Sequence, residues 1–378
     1  MAKPAGPRCN LSCSYCYYLK KGFLFAKGPL RMSDTLLELF IAQRFEASPG
    51  PNTHFEWHGG EPTLLGIEYF HKIREIQNLY IPEGRTVTNG MQTNGLLLNE
   101  EWAKFLSREG FSVGLSLDGP REMHDVFRMA ADGSPTHARV EKAFQLLKKH
   151  RVFCNVLCVL HSENVSEPDV VYDYFRRLGV SYLQFLPLAT QGEPGTLSQA
   201  AAGPEAIGAF LCRIFDRWIK EDVGQVVIQN IDEALRPIYG IPHALCIFRE
   251  TCGDVAVLEH DGSFYPCDHF VRPEQRVGNI RERRLLDLAG DPQMTRFKES
   301  KRETLPQSCR ECSVLDACNG GCPKDRIVET PACNRSLNYL CPAYKAFFLH
   351  SRPALTRLAA HMKADRPLRA FRTYQEYP

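Results

Sequence analysis

Hydrophobic positions in the first 225 residues follow two alternating patterns. Short runs with every second residue apolar, or with no polar break, predict β-strands, whereas apolar residues three or four apart predict amphipathic helices. The strand pattern occurs in "THFEWHGG", "RTVTNGMQTNG", "FSVGLSLDG", "VFCNVLCVL" and "SYLQFLPL", with "MAKPAG" as the remnant of a first strand. The helix pattern lies between them, in "SDTLLELFIAQRF", "GIEYFHKIREIQNLY", "EEWAKFLSREG", "THARVEKAFQLLKKH" and "EPDVVYDYFRRLG".

This alternation predicts an α/β fold. Ser33 is the predicted N-cap of the first helix, and Gly110 and Gly179 are predicted stops after two others. Apolar strands that alternate with amphipathic helices imply a parallel sheet covered by helices. With about six such units we expect a partial, TIM-like (β/α)6 barrel, and a doubly wound sheet is the alternative. Few residues precede Cys9, so we expect a first strand that is short or clipped.

The pattern changes in the second half of the chain. A Gly, Ala and Pro-rich stretch, "QGEPGTLSQAAAGPE", predicts a loop, and "AIGAFLCRIFDRWIKE" predicts a helix after it. Residues 246–341 are rich in cysteine and poor in long periodic segments, and "AYKAFFLHSRPALTRLAAHMK" predicts a last helix before a charged tail. We therefore expect a barrel domain over 1–225, a cysteine-rich domain over 226–345, and a helix and tail over 346–378.

Composition narrows the class of protein. The chain has 378 residues, 46 of them basic and 44 acidic, so its net charge of +2 predicts neither nucleic acid nor an anionic membrane as a partner. The start lacks the apolar stretch of a secretory signal, and the apolar runs are too short to cross a bilayer. We expect a soluble, cytoplasmic protein. The 15 cysteines should then stay reduced, which favours metal binding over disulfides.

The unusual residues follow the predicted strands. The segment "CNLSCSYC" comes after the first strand, and "GGEP", "QTNG", "SLDG" and "QFLP" come after later ones. Parallel α/β sheets bind ligands at the carboxyl ends of their strands. Five polar or Gly-containing turns at one edge of the sheet therefore predict a binding site there.

Cys9, Cys13 and Cys16 form a CxxxCxxC pattern that cannot lie on one face of a regular helix. Thiolates select zinc, Cu(I) or iron–sulfur clusters. Three thiolates on a four-iron cluster would leave one iron open to an exogenous ligand. The alternative is a zinc site with three thiolates and a distant histidine.

A second cysteine group begins near residue 246. Cys252, Gly262 and Cys267 form Cx9Gx4C, with a hairpin turn predicted at Asp261-Gly262. Eight cysteines of this region make two sets of four thiolates, and the alternative is a pair of zinc ribbons. These eight are Cys246, Cys252, Cys267, Cys309, Cys312, Cys318, Cys322 and Cys341.

CxxxCxxC with an aromatic residue before its last cysteine (Tyr15), followed by "GGEP", resembles the radical S-adenosylmethionine (SAM) enzymes. In that superfamily the amino and carboxylate groups of S-adenosylmethionine bind the open iron, and reduction releases a 5′-deoxyadenosyl radical. The resemblance implies that a carbonyl of "GGEP" or the Glu61 carboxylate accepts from the ammonium group of the cosubstrate. It further implies contacts to S-adenosylmethionine from Tyr15, Gly59, Gly60, Glu61, Ser116, Arg128 and Leu186.

The cysteine-rich region resembles the SPASM extension, which holds two auxiliary [4Fe–4S] clusters, so three clusters are implied in all. By that resemblance one set of ligands is Cys246, Cys252, Cys267 and Cys322, and the other is Cys309, Cys312, Cys318 and Cys341. Four cysteines remain. Cys154, Cys158 and Cys212 are predicted core residues, and Cys333 is predicted to be spare.

"WHGGEP", "QTNG", "SLDGP", "LQFLPL" and "YPCDHF" together resemble the anaerobic sulfatase-maturating enzymes, over nearly the whole chain. That family oxidises a Cys or Ser in a sulfatase motif of the CxPxR or SxPxR type to Cα-formylglycine. The resemblance implies an unfolded sulfatase or peptide as substrate, Asp268 as general base, and a reducing donor such as flavodoxin or ferredoxin. The alternatives are a SPASM enzyme that crosslinks peptides through thioether or carbon–carbon bonds, and a zinc-binding scaffold protein.

Overall fold

The computed structural model describes residues 1–25, 28–189, 198–253, 255–328 and 336–371. The chain forms two compact units. Unit 1 comprises Met1–Leu117, Phe127–Asn155 and Gly253–Lys298. Unit 2 comprises Asp118–Val126, Val156–Cys252 and the described residues from Glu299 onwards. Among the described residues, no helix combines the length and the hydropathy that a membrane crossing requires.

The strands occur where the alternating pattern predicts them, and further short strands lie in the cysteine-rich region. The strands of the described residues are β1 (Ala2–Lys3), β2 (Asn52–Trp57), β3 (Thr86–Thr93), β4 (Phe111–Ser116), β5 (Cys154–Leu160), β6 (Tyr182–Pro187), β7 (Val227–Ile228), β8 (Val257–Glu259), β9 (Ser263–Tyr265), β10 (Gly278–Asn279), β11 (Arg326–Val328) and β12 (Leu337–Asn338).

Successive strands lie side by side within each unit. In unit 1 the spatial order is β10-β9-β8-β1-β2-β3-β4, with β1 to β4 parallel and β8 parallel to β1. The β8–β9 hairpin and β10 are antiparallel. In unit 2, β5, β6 and β7 are parallel, and β11 pairs with β12. A doubly wound sheet reverses its strand order at a switch point, so the sequential order from β1 to β4 and from β5 to β7 favours the predicted partial barrel.

The helices follow the predicted amphipathic segments, with additional helices in the second half. The α-helices of the described residues are α1 (Asp34–Glu46), α2 (Ile67–Tyr80), α3 (Glu100–Arg108), α4 (Arg121–Phe127), α5 (His137–Lys149), α6 (Pro168–Leu178), α7 (Pro204–Glu221), α8 (Gln229–Tyr239), α9 (Leu285–Ala289), α10 (Pro292–Glu303), α11 (Gln307–Arg310), α12 (Leu315–Cys318) and α13 (Cys341–Lys363).

The core of unit 1 forms because β2 buries every second side chain. Phe55 and Trp57 lie on the same face of β2 with their rings stacked at 5.9 Å. Phe40 of α1 packs edge-on against both rings, at 5.8 and 6.0 Å. Each such buried aromatic side chain contributes about 1.5–3 kcal/mol. In unit 2, α13 packs against α7 and α8.

Several local predictions are confirmed. The Ser33 side chain accepts a hydrogen bond from Leu36 N at the start of α1. Gly110 and Gly179 follow α3 and α6 with positive φ of 66° and 79°. Cys333, most of the predicted loop 191–205 and the end of the charged tail lie outside the described residues.

Candidate functional site

The Cys9–Cys16 loop follows β1 directly and is held in place by the main chain of a neighbouring segment. Ser12 N donates to Met129 O at 2.9 Å, and Leu11 forms an isolated antiparallel bridge with Ala130. The three thiols of the loop are all partly buried. A loop that is fixed along its backbone and presents three partly exposed thiols can wrap around an iron–sulfur cluster.

The Cys9 thiol already has hydrogen-bond donors around it. Leu11 N donates to Cys9 Sγ at 3.3 Å and Asn94 Nδ2 at 3.7 Å. Burial raises the pKa of Cys9 to about 11, although the Leu11 N–H opposes the rise and the Glu61 carboxylate adds to it. A cluster ligand must be a thiolate, so the positive charge of iron has to displace this proton on binding.

The Glu61 carboxylate is fully buried and accepts four hydrogen bonds. Its Oε1 accepts from Thr63 N at 3.0 Å, from Thr63 Oγ1 at 2.6 Å and from Thr93 Oγ1 at 2.7 Å. Its Oε2 accepts from Asn94 N at 2.7 Å. Burial raises the pKa of Glu61, and these hydrogen bonds oppose the rise. The carboxylate therefore ties the "GGEP" turn to the "QTNG" turn after β3.

The two glycines of "GGEP" lie against the backbone that leads to the cysteine loop. Gly60 N donates to Gly6 O at 2.8 Å, and Glu61 N donates to Arg8 O at 2.7 Å. A Cβ atom on Gly60 would lie 1.9 Å from Arg8 O, which no side chain can tolerate. Gly59 has φ of 136°, a conformation that favours glycine. The glycines thus permit close approach to the cysteine loop itself.

Three of the other predicted cosubstrate contacts lie in unit 1 and already have polar partners. Arg128 Nη1 donates to the Tyr15 hydroxyl at 2.9 Å. Gln92 Nε2 donates to Ser116 Oγ at 3.0 Å, across the ends of β3 and β4. Leu186 lies at the end of β6 in unit 2 and is half-buried. Each of these positions is at a strand end or in the loop after β1.

Asp268 is buried in unit 1 and is contacted by residues near the start of the chain. Its Oδ2 accepts from the Tyr17 hydroxyl at 2.5 Å and lies 3.8 Å from Lys3 Nζ. Burial acts to raise the pKa of Asp268, but the charges of His269 and Lys3 and the Tyr17 hydrogen bond outweigh it. The pKa is therefore well below its usual value, and the group is a carboxylate. Tyr17 follows Cys16 directly, so it joins Asp268 to the cysteine loop.

Lys3 is a functional candidate that the sequence reasoning missed. Its side chain is fully buried on β1, and its Nζ lies 3.6 Å from the centre of the Tyr18 ring without a hydrogen-bond partner. Burial lowers the pKa of Lys3, and the negative charges of Asp268 and Glu259 oppose this effect. The signal in the sequence is a lysine within an otherwise apolar strand remnant, and its ion pair with Asp268 could not be inferred from spacing.

The second predicted auxiliary set surrounds a cavity in unit 2. Cys309, Cys312, Cys318 and Cys341 all line this cavity, which has a volume of about 140 Å³. Burial raises the pKa of Cys318 to about 12. Four thiols around one cavity fit the ligand set of a closed four-iron cluster.

The other predicted set divides between the units. Cys246, Cys252 and Cys322 belong to unit 2, and Cys267 belongs to unit 1. Of the cysteines predicted to be structural, Cys158 is fully buried on β5. Cys154 and Cys212 are half-buried.

Thiols around a cluster are arranged differently from thiols around zinc. In a four-iron cluster each thiolate binds a different iron, whereas zinc gathers its four ligands around one ion. Over the described ranges, no three His, Cys, Asp or Glu side chains converge on a position for a single ion. This arrangement favours the cluster hypothesis over both zinc alternatives.

Comparison with known proteins finds relatives along the whole chain. Residues 4–175 match the radical SAM superfamily, and residues 246–313 match an iron–sulfur cluster-binding domain, SPASM. The chain is 39% identical to a serine-type anaerobic sulfatase-maturating enzyme of Bacteroides thetaiotaomicron, over 93% of this chain and 89% of that protein. It is 34% identical to a cysteine-type anaerobic sulfatase-maturating enzyme of Clostridium perfringens, over 96% and 98% respectively.

A solved structure agrees with these matches. Native anSMEcpe with bound AdoMet and Cp18Cys peptide superposes with a TM-score of 0.86 at 34% identity, over 95% of this chain and 98% of that one. These findings confirm the predicted fold class, a partial (β/α)6 radical SAM barrel with a C-terminal SPASM domain.

Proposed function

We infer that this chain, which belongs to the anaerobic sulfatase-maturating enzymes of the radical SAM superfamily, oxidises a Cys or Ser side chain of a sulfatase segment to Cα-formylglycine. Its cofactors are S-adenosylmethionine and [4Fe–4S] clusters. The observation that carries the proposal is the 2.5 Å hydrogen bond from Tyr17 to Asp268. It joins the loop with the three partly buried thiols to a buried carboxylate.

The residues of unit 1 are assigned roles in binding. Cys9, Cys13 and Cys16 hold the first cluster. When bound, the cluster and S-adenosylmethionine supply the 5′-deoxyadenosyl radical that removes a hydrogen atom from substrate Cβ. The Glu61 carboxylate is saturated by four hydrogen bonds, so we assign the ammonium group of the cosubstrate to a main-chain carbonyl of the "GGEP" turn. Tyr15, Ser116, Arg128 and Leu186 are assigned the remaining cosubstrate contacts.

Asp268 is proposed as the general base. Loss of the Cβ hydrogen atom makes the adjacent hydroxyl or thiol more acidic, and an ionised carboxylate can then accept its proton. Tyr17 and Lys3 hold the carboxylate in place and keep it ionised. The oxidation also releases an electron, for which we propose two auxiliary clusters held by the eight C-terminal cysteines as acceptors.

Three further assignments rest on the same reasoning. The domains are proposed to span 1–225, 226–345 and 346–378. A flavodoxin or ferredoxin is the proposed reductant, because small iron–sulfur or flavin carriers supply single electrons. A cytoplasmic location is proposed, because eleven cluster ligands require reduced thiols.

The test is to incubate the anaerobically reconstituted enzyme with S-adenosylmethionine, a strong reductant and a CxPxR or SxPxR peptide. Formylglycine formation lowers the peptide mass by about 18 Da from Cys and about 2 Da from Ser. A Cys9→Ala variant serves as the control and should not cleave S-adenosylmethionine. Cleavage by the wild type with no mass change would refute the proposal, and a loss of about 2 Da from the Cys peptide would indicate a thioether crosslink instead.

A further inference from the structure

Lys301 is a buried cation beside predicted cluster ligands. Its side chain is fully buried at the C-terminal end of α10 in unit 2. Its Nζ donates to the carbonyl oxygens of Cys246 at 3.0 Å, of Ile247 at 2.9 Å, and of Arg249. An ammonium group has three N–H donors and no acceptor, so all three donors are used. The geometry is that of a charged ammonium, and among the described residues it has no carboxylate partner.

Arg326 is a second buried cation in the same unit. Its Nη1 donates to Thr304 Oγ1 at 2.8 Å, but its Nε and Nη2 are buried and have no hydrogen-bond partner in the described part of the chain. Gly320 leaves room for this guanidinium, because a Cβ there would lie 3.0 Å from Nη2. The thiols close enough to act on its charge include those of Cys309 and Cys252.

Two such cations are unfavourable unless an anion lies beside them. Unpaired N–H donors are costly when buried, and two positive charges that lie close together without a carboxylate repel each other. The charge of Arg326 acts on Lys301, and both act on the thiols of Cys252 and Cys322. A [4Fe–4S] cluster with four thiolates carries net negative charge and offers sulfur atoms as acceptors, so it meets both requirements.

We propose that Lys301 and Arg326, the cationic pair, raise the reduction potential of the auxiliary clusters and thereby make them better electron acceptors. Reduction adds one electron and makes the cluster more negative, and a buried positive charge stabilises the reduced state. Lys301 also fixes the chain between Cys246 and Cys252 through its three carbonyl contacts. Both are positioning residues, since they act through the clusters. The inference rests on the proposed auxiliary clusters.

The experiment measures the midpoint potential of the auxiliary clusters by EPR-monitored titration with dithionite. The full chain carries C9A/C13A/C16A so that only the auxiliary clusters contribute. Adding Arg326→Met should lower the equilibrium constant for cluster reduction by tenfold or more, about 59 mV for one electron. Lys301→Met should shift it in the same direction. Arg326→Lys keeps the charge and should restore most of the potential.

Arg310→Met is the matched control. Arg310 is next to the ligand Cys309, but it is exposed and its guanidinium donates to main-chain oxygens of Leu305 and Glu303. Solvent screens its charge, so its removal should leave the midpoint unchanged.

Iron and sulfide counting keeps the outcomes distinct. If the parent protein holds no auxiliary iron, the proposed function fails at cluster binding. If it holds about eight irons and Arg326→Met has an unchanged midpoint, the cationic pair is refuted. If Arg326→Met loses its clusters, Arg326→Gln, which keeps N–H donors but not the charge, replaces it: a lower midpoint supports the proposal and an unchanged one overturns it.

Discussion

At the scale of single residues, Asp268 shows how neighbours prepare a carboxylate for proton transfer. The Tyr17 hydroxyl donates to it, and Lys3 supplies a positive charge at 3.8 Å. Both neighbours favour the ionised form, which is the form that a base requires. They also prevent the carboxylate from rotating away. Removal of the charge should therefore affect the chemistry more than cosubstrate binding.

Asp268→Asn tests this role. The amide has the shape of the carboxylate but cannot accept a proton, so formylglycine formation should fall at least about tenfold while S-adenosylmethionine cleavage continues. Product yield and 5′-deoxyadenosine yield are measured in the same anaerobic reaction. Tyr17→Phe removes only the hydrogen bond and should cause a smaller loss. A near-normal product yield from Asp268→Asn would remove Asp268 from the mechanism.

The surroundings of Glu61 show why some residue roles could not be predicted. The "GGEP" motif identified Glu61, but its acceptor capacity is used by Thr63, Thr93 and Asn94. Thr93 and Asn94 follow the next strand, so only the parallel pairing of β2 and β3 brings them to Glu61. Lys3 is similar, because its partner Asp268 is distant in the chain. Spacing identifies residues within one turn and does not reveal partners from another element.

At the scale of elements, the "GGEP" turn supports the cysteine loop. The turn after β2 receives the backbone of residues 6–8 so closely that Gly60 has no room for a Cβ. The same stretch leads directly into Cys9. The position of the first thiol therefore depends on a glycine that lies in another element.

Gly60→Ala should displace the start of the cysteine loop. Overpacking costs about 1–3 kcal/mol, which urea unfolding of the apo protein would detect, and iron bound at the first site should fall. Gly50→Ala is the matched control, because a Cβ there meets nothing within 4 Å. If Gly60→Ala binds iron as well as Gly50→Ala does, the turn does not position the loop.

Elements with local signals were predicted well, and elements with distant partners were not. The Asp261-Gly262 hairpin was predicted, and β8 and β9 pair antiparallel around Gly262 with its φ of 89°. The pairing of β8 with β1 was not, since Ala2 and Leu258 are far apart in sequence. It places β1 between two strands rather than at an edge. The helix α8 was also missed.

At the scale of the whole molecule, the fifteen cysteines divide by surroundings. Cys158 is packed inside the sheet, where a thiol acts as a small apolar side chain. The thiols of the Cys9–Cys16 loop and of the cavity in unit 2 lie in irregular or short elements that little apolar packing orders. Such regions gain stability from a bound metal centre, because the binding free energy adds to that of folding.

Iron counting tests this division directly. Three [4Fe–4S] clusters predict about twelve irons and twelve sulfides per chain. Cys312→Ala removes a thiol that lines the cavity and should lower the iron content by about four, or by less if water replaces the ligand. Cys212→Ala is the control: this half-buried thiol lies on α7, where alanine favours the helix, so iron content should not change. Equal iron loss in both variants, or none in Cys312→Ala, would contradict the assignment of the cavity cysteines, because only a ligand can couple the loss of one thiol to the loss of a whole cluster.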